Sequence, residues 1–315
     1  IREFMPATPE RGADLPSARP AAGKLMPRRS LGADMTRAAP TREQSRPIDE
    51  WLVAVQPGDT TGEDGTDLRN YGGLAGIPEA RRLFGAYLGT KPEQVVVGGN
   101  SSLAMMWDVL SNAMSYGMPG GNGPWRDQSP KFICPVPGYD RHFAICERLG
   151  IEMITVEMTP TGPDMDAVQA LVKDDPSVKG IWCVPKYSNP SGETYSTETV
   201  EALASMPAAA ADFLLLWDNA YAVHHLGDGP ASLGDILKAC ETAGNPNRAI
   251  VFGSTSKLTL AGAGVAMLAS SPANVKDHLE KINYAMIGPD KINQLRHVRF
   301  FKDMDGILAH MKKHA

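Results

Sequence analysis

The chain has 315 residues, a formal net charge of −5, and 43% apolar and 21% charged residues, the make-up of an ordinary globular protein with room for a sizeable core. That charge is too mild to argue for nucleic acid or an anionic membrane, and no apolar run approaches the length of a membrane span. The four cysteines (Cys134, Cys146, Cys183 and Cys240) lack Cys-x-x-Cys or zinc-like spacing and read as reduced, buried thiols of a cytoplasmic protein.

Residues 1–50 are rich in Pro, Ala, Arg and Gly without periodicity, which predicts a poorly ordered arm. From Asp64 the character changes. Pro78 opens an amphipathic helix through Ala80, Leu83, Phe84 and Leu88. Val95–Val97 reads as a short strand, Gly98-Gly99-Asn100-Ser101-Ser102 as a turn, and Leu103–Ala113 as a helix. A strand, a glycine-rich turn and a helix start form an anion site when the free amides and helix dipole face a ligand; an ordinary Ser/Asn cap has the same spelling. Phe132–Pro135 is the next strand, followed by Gly138-Tyr139 and a helix through Phe143, Ile145 and Leu149. Ile151–Val156 and Gly180–Val184 are strands on either side of a helix over Met165–Val172. The turn Tyr187–Gly192 then leads into a helix ending near Ser205. Phe213–Trp217 is a fully apolar strand that runs straight into Asp218-Asn219-Ala220-Tyr221.

The last strand, Ala249–Phe252, stops at Gly253, and the hydroxyl-rich turn Ser254-Thr255-Ser256 ends on Lys257. A lysine there is either a solvated loop charge or a desolvated amine with a lowered pKa, suited to Schiff-base chemistry. Strands alternating with helices at this spacing predict a mostly parallel sheet, covered on both faces in three α/β/α layers. Ligands then bind at the carboxyl ends of the strands. The turns carrying Gly99, Asn100, Ser101, Tyr139, Asn189, Asp218, Tyr221, Ser254, Ser256 and Lys257 all fall at those ends.

A planar cationic ring bearing a phosphate fits that set. Asp218, leaving a buried strand, would hold a ring nitrogen protonated, and Tyr221 and Asn189 would bond a ring oxygen. Tyr139 would lie on the ring face. Rival motifs are weaker. His224-His225 are adjacent in sequence, no His-Glu-x-x-His occurs, and no metal is expected. Gly262-Ala263-Gly264 lacks the third glycine of a dinucleotide fingerprint, and no Gly-x-Ser-x-Gly elbow surrounds Ser254 or Ser256.

Ser-Thr-Ser-Lys at 254–257, Asp-Asn-Ala-Tyr at 218–221, Asn-Pro-Ser-Gly at 189–192 and Tyr71 with Gly76 resemble the fold type I, class I aminotransferases that use pyridoxal 5′-phosphate. Val136–Phe143 and Ile287–His297 resemble the bacterial aspartate aminotransferase-like subgroup. The resemblance implies transfer of an amino group from aspartate, or a similar amino acid, to 2-oxoglutarate. It implies that Lys257 carries the cofactor as a Schiff base and shuttles a proton, with Asp218, Tyr221, Asn189 and Tyr139 around the ring. Gly99, Asn100, Ser254 and Ser256 would form the phosphate cup, and Tyr71 would reach the phosphate of a partner subunit in a homodimer with shared sites.

Two departures stand out. Ala261-Gly262-Ala263-Gly264 offers no arginine for the phosphate, and the arginine for the substrate α-carboxylate has no counterpart here. The resemblance therefore divides the sequence into a large cofactor-binding domain over 51–289 and, over 290–315, the start of the interdomain helices, with the small C-terminal domain largely absent. Arg37, Lys291 and Arg296 are candidates for a substrate carboxylate. Apolar residues from Ile292 to Met311 predict helices broken near Asp305-Gly306, with faces left without a partner surface. A lyase or decarboxylase on the same fold, a non-catalytic truncated relative and a ligand-sensing homologue stay open as alternatives.

Overall fold

Short polar caps and prolines divide the chain into its elements. The computed structural model describes residues 49–225 and 231–313, so the arm expected at the start lies outside them up to residue 48. In chain order the elements begin with α1 (Asp49–Leu52), α2 (Pro78–Leu88), β1 (Val95–Val97), α3 (Ser102–Tyr116), β2 (Lys131–Val136) and α4 (Asp140–Leu149). Next come β3 (Glu152–Thr159), β4 (Gly162–Pro163), α5 (Met165–Val172), β5 (Val178–Cys183), α6 (Thr197–Ser205) and β6 (Leu214–Asp218). The last are α7 (Ile236–Thr242), β7 (Ala249–Ser254), β8 (Ala266–Ser270), α8 (Pro272–Ile282), α9 (Lys291–Phe301) and α10 (Met304–Lys312). Pro78 at the first position of α2 and left-handed Gly89 after its end bound that helix. Ser101, Asp164, Ser196 and Ser271 cap α3, α5, α6 and α8 with their own side chains.

The strands form one eight-stranded sheet in the order β1-β8-β7-β6-β5-β2-β3-β4. From β3 to β7 the pairings are parallel, while β8 runs antiparallel to both β7 and β1. β1 therefore points the same way as β7, and the turn after it opens on the same edge. The three-layer, mostly parallel sheet is as expected. The strand β8 and the helices α7 and α8 went unread, although α8 carries a clear helical period. β5, β6 and β7 are buried along their whole length, as strands with helices on both faces must be. One apolar cluster, built around Phe84, Leu203, Trp217 and Leu295, fills one side of the sheet. A second, around Met105, Met106, Leu110, Phe132 and Phe252, fills the other. All four cysteines are buried and free. Among the described residues no helix is long and apolar enough to cross a membrane.

The C-terminal helices differ from the sequence expectation in two ways. The break falls at Lys302, whose φ is 67°, and Asp303 then caps α10. Gly306 lies inside α10, where a Cβ would collide with the Phe301 carbonyl oxygen, so it serves a close approach to the end of α9. Apart from Leu308, the apolar faces are not left exposed. Leu295, Phe301 and Ile307 are buried in the main core, with Ile292, Val298 and Met311 packed against it.

Candidate active site

β7 stays buried through Ser254, and Lys257 follows on a turn closed by its own backbone. Thr255 N donates to Val265 O at 2.8 Å, and Leu258 N and Thr259 N donate to Thr255 O at 2.8 and 2.9 Å. Lys257 is half-buried, with Nζ 4.6 Å from the centre of the Tyr221 ring. Burial pushes its amine below the ordinary lysine value, and the charge of Asp218 opposes that shift without cancelling it.

Asp218 ends β6 beside Phe252 of β7 and is 6% exposed. His142 Nε2 donates to its Oδ2 at 3.0 Å, which places the ring proton on that nitrogen. Oδ1 is buried with no partner. His142, on the first turn of α4, stacks flat on Trp182 of β5 with ring centres 4.2 Å apart and 6° between planes. Tyr139 meets the same imidazole edge-on at 5.0 Å. A carboxylate with one oxygen pinned and the other left bare in the interior is built to meet a cation.

The Asn189 side chain works to lower the pKa of the Tyr221 phenol. Burial, and then the Asp218 charge, raise the Tyr221 phenol above its usual value, so it is a donor at neutral pH. His224 meets Tyr221 edge-on at 5.6 Å, and its Nε2 reaches the Lys257 carbonyl at 3.4 Å. With that nitrogen donating, Nδ1 is a buried acceptor without a partner.

The turn after β1 closes on the lysine loop. Asn100 Nδ2 donates to Gly262 O at 3.1 Å, and Ser256 Oγ donates to Asn100 O at 3.4 Å. Ala266 N donates to Gly99 O at 2.7 Å, and Ala266 pairs with Ser254. Gly99, Asn100, Ser254 and Ser256 thus come together, and a Cβ on Gly99 would meet nothing within 4 Å. Ser101 caps α3, its Oγ accepting from Ala104 N at 3.2 Å.

Other candidates fare differently. Lys291 is no free cation for a substrate. It is 4% exposed, and its Nζ donates to Asn70 O at 2.6 Å and Gly72 O at 2.9 Å. Those two carbonyls flank Tyr71, which is 81% exposed and does not fold back over Lys257. Arg296 lies over the Trp51 ring at 4.8 Å, its Nε buried without a partner. Arg37 lies outside the described residues. Among the described residues no cluster of His, Cys, Asp and Glu has the makings of a metal site.

Sequence reasoning missed His142 and His297. The one signal for His142 was its place three residues after Tyr139, one helical turn on. His297 gave none.

Relatives carry the same architecture. A putative aminotransferase of Mycolicibacterium smegmatis is 48% identical over 293 residues, which cover 91% of this chain and 68% of that protein. The crystal structure of an aspartate transaminase from Corynebacterium glutamicum superposes with a TM-score of 0.85 at 49% identity, over 88% of this chain and 66% of that one. An α-aminoadipate aminotransferase of Thermus thermophilus, complexed with N-(5′-phosphopyridoxyl)-L-leucine, shares the fold at a TM-score of 0.69 and 18% identity, over 88% of this chain and 65% of that one. The chain spans about two thirds of the length of these relatives. The model of the family described as aspartate amino-transferase matches residues 8–315. With that match over nearly the whole chain, and close to half of all positions shared with two named members, this protein belongs to the aspartate aminotransferase family on the fold type I α/β scaffold.

Proposed function

We propose that the protein is a pyridoxal 5′-phosphate-dependent aminotransferase that moves an amino group from aspartate, or a similar amino acid, to 2-oxoglutarate. The observation that carries this reading is the half-satisfied Asp218: Oδ2 held by His142, Oδ1 buried and bare, on the same edge as a desolvated lysine. A protonated pyridine nitrogen is the partner that Oδ1 lacks, so the residues present fit the cofactor. The open space over Gly99 and the cup around Asn100 and Ser256 suit its phosphate.

When bound, pyridoxal phosphate supplies the electron sink for breaking the substrate's α C–H bond. Lys257 is the amine that anchors it, and once released from that bond its Nζ accepts and returns the α proton. A lowered lysine pKa favours both roles, because the neutral amine is the nucleophile and the base. His142 fixes Asp218 in place, Tyr221 and Asn189 hold a ring oxygen, and Tyr139 covers the ring and keeps water off it. Tyr71, presented outward by the Lys291 clamp, is placed to reach a second subunit, and we propose a homodimer with shared sites. Four free, buried cysteines suit the reducing cytoplasm.

The test is an absorbance spectrum with pyridoxal phosphate, followed by aspartate. An imine band that converts to the amine form on adding aspartate is the expected result. Borohydride reduction and peptide mapping should place the label on Lys257. A label on another lysine, or a band indifferent to every amino acid tried, would refute the proposal.

A further inference from the structure

The turn that carries Lys257 is held by three imidazoles from three separate elements. His297 of α9, fully buried, lies with Nε2 3.0 Å from Thr255 Oγ1 and 3.1 Å from Thr259 Oγ1. His310 of α10, 5% exposed, bonds the Leu258 carbonyl through Nε2 at 2.7 Å. His224, from the loop after β6, reaches the Lys257 carbonyl itself. Four of the five residues from Thr255 to Thr259 are therefore bonded to a histidine.

The bond directions at His297 follow from its partners. Nδ1 lies 2.9 Å from the Asn293 carbonyl and must carry the proton, which leaves Nε2 as the acceptor. The Thr255 hydroxyl then donates to Nε2, while its oxygen accepts from Val265 N at 2.8 Å. One directed chain runs from the backbone of Val265, just before β8, through the lysine turn, into α9. Burial pushes the His297 ring down to about 4, so it is neutral across the working range. The rest of α9's polar face does related work. Asn293 Nδ2 donates to Ala263 O and Gly264 O at 3.1 and 3.0 Å, and Gln294 Nε2 donates to Val97 O at 3.0 Å. Packing alone does not require a histidine where phenylalanine would fill the same space between Trp51 and Phe301.

We infer that His297 is the principal positioning residue of Lys257, and that with His310 and His224 it locks the turn so that the amine stays over Tyr221. The inference rests on the proposed role of Lys257, but its test does not use the amino-group transfer. The measurements are made on the cofactor-free full chain. Amide hydrogen exchange is followed over residues 254–265, and the rate at which an amine-acylating reagent modifies Lys257 is followed against pH by peptide mass spectrometry. His297→Phe should raise exchange in that peptide about tenfold or more, the equivalent of one lost interior hydrogen bond. It should also move the Lys257 reactivity profile toward that of an exposed lysine. His297→Gln, which offers both an acceptor and a donor, should recover much of both effects. Thr255→Val, which removes the hydroxyl from the other side, should reproduce the Phe phenotype and decides the matter if the Phe variant does not fold. Unchanged exchange and an unchanged Lys257 profile in the folded variants, with only a lower melting temperature, would overturn the inference and make His297 a packing residue.

Discussion

Two buried aspartates stand at the two ends of one strand. Asp212 precedes β6 at the amino edge of the sheet, and Asp218 ends it at the carboxyl edge. Asp212 is fully satisfied. Lys179 Nζ donates to one oxygen at 2.9 Å and Trp125 Nε1 to the other at 2.6 Å, all three residues being buried. Nearby, Arg248 Nη1 donates to the carbonyls of Leu203, Ala204 and Met206, tying off the end of α6. Asp218 has one oxygen bonded and one bare, near a half-buried lysine and a histidine with an empty nitrogen. Interiors satisfy their polar groups wherever nothing else is asked of them. The unfinished bonding of Asp218, set against the finished bonding of Asp212, separates a proposed ligand site from a structural clamp using the same residue type.

The largest effect that would break this comparison comes from Asp218→Asn. Half-transamination with aspartate should fall by about a thousandfold, the scale on which one preorganised electrostatic partner acts, while cofactor binding largely survives. Single-turnover absorbance would check it. A rate close to that of the unmutated chain would reduce Asp218 to a structural group like its neighbour.

Asp212→Asn should show the converse. It leaves the Lys179 ammonium buried without a counter-charge, a loss of about 3–5 kcal/mol. The melting temperature should drop by on the order of 10 °C. The spectrum of bound cofactor should stay as it was. A change in that spectrum without loss of stability would mean that the two edges are not separable.

How much of this was legible beforehand follows from where the information lay. Lys257 and Asp218 each end an apolar strand, and a charged residue at such a boundary announces itself locally. The turn proposed as the cup was legible as a turn for the same reason, since glycine and small polar residues sit between a strand and a helix. His142 and His297 sit on helices, where a histidine looks like any polar residue of an amphipathic pattern. Lys291 was misread because its partners, the carbonyls of Asn70 and Gly72, lie about 220 positions away in sequence. A lysine that ends as a buried clamp spells the same as one that waits for substrate. The apolar faces of α9 and α10 were read correctly as faces, but nothing local tells that α2 and the main core cover them.

A smaller effect separates the edges by acid. His224 and His297 at the carboxyl edge, and His278 on α8, are each pushed down to about 4 from 6.5, mainly by burial. Between those values the unfolded chain binds protons that the folded chain refuses, so stability rises with pH across that window. The melting temperature should therefore fall steadily from about pH 6.5 to pH 4, and below that the histidines add nothing further to the loss. His297→Gln should make that slope shallower. A slope unchanged by this substitution would show that His297 is as free to protonate in the folded chain as in the unfolded one.

The smallest effect tests what the carboxyl edge still lacks. The loop after Lys257 reads Ala261-Gly262-Ala263-Gly264 where the resemblance leads one to expect an arginine for the phosphate. Ala263 is half-buried, its carbonyl held by Asn293, while Gly262 beside it faces open space. The amides at the start of α3 and its dipole supply part of the missing charge. A charge-assisted hydrogen bond adds about 1.5–3 kcal/mol, or roughly ten- to a hundredfold in affinity. Ala263→Arg should therefore tighten pyridoxal phosphate binding by about that factor, measured by fluorescence titration against the unmutated chain. The gain should fade with added salt or competing inorganic phosphate, because it is electrostatic. An unchanged affinity, in a variant that keeps its melting temperature, would mean that the cup's phosphate already has its cation, and that this edge is more complete than its bare oxygens make it look.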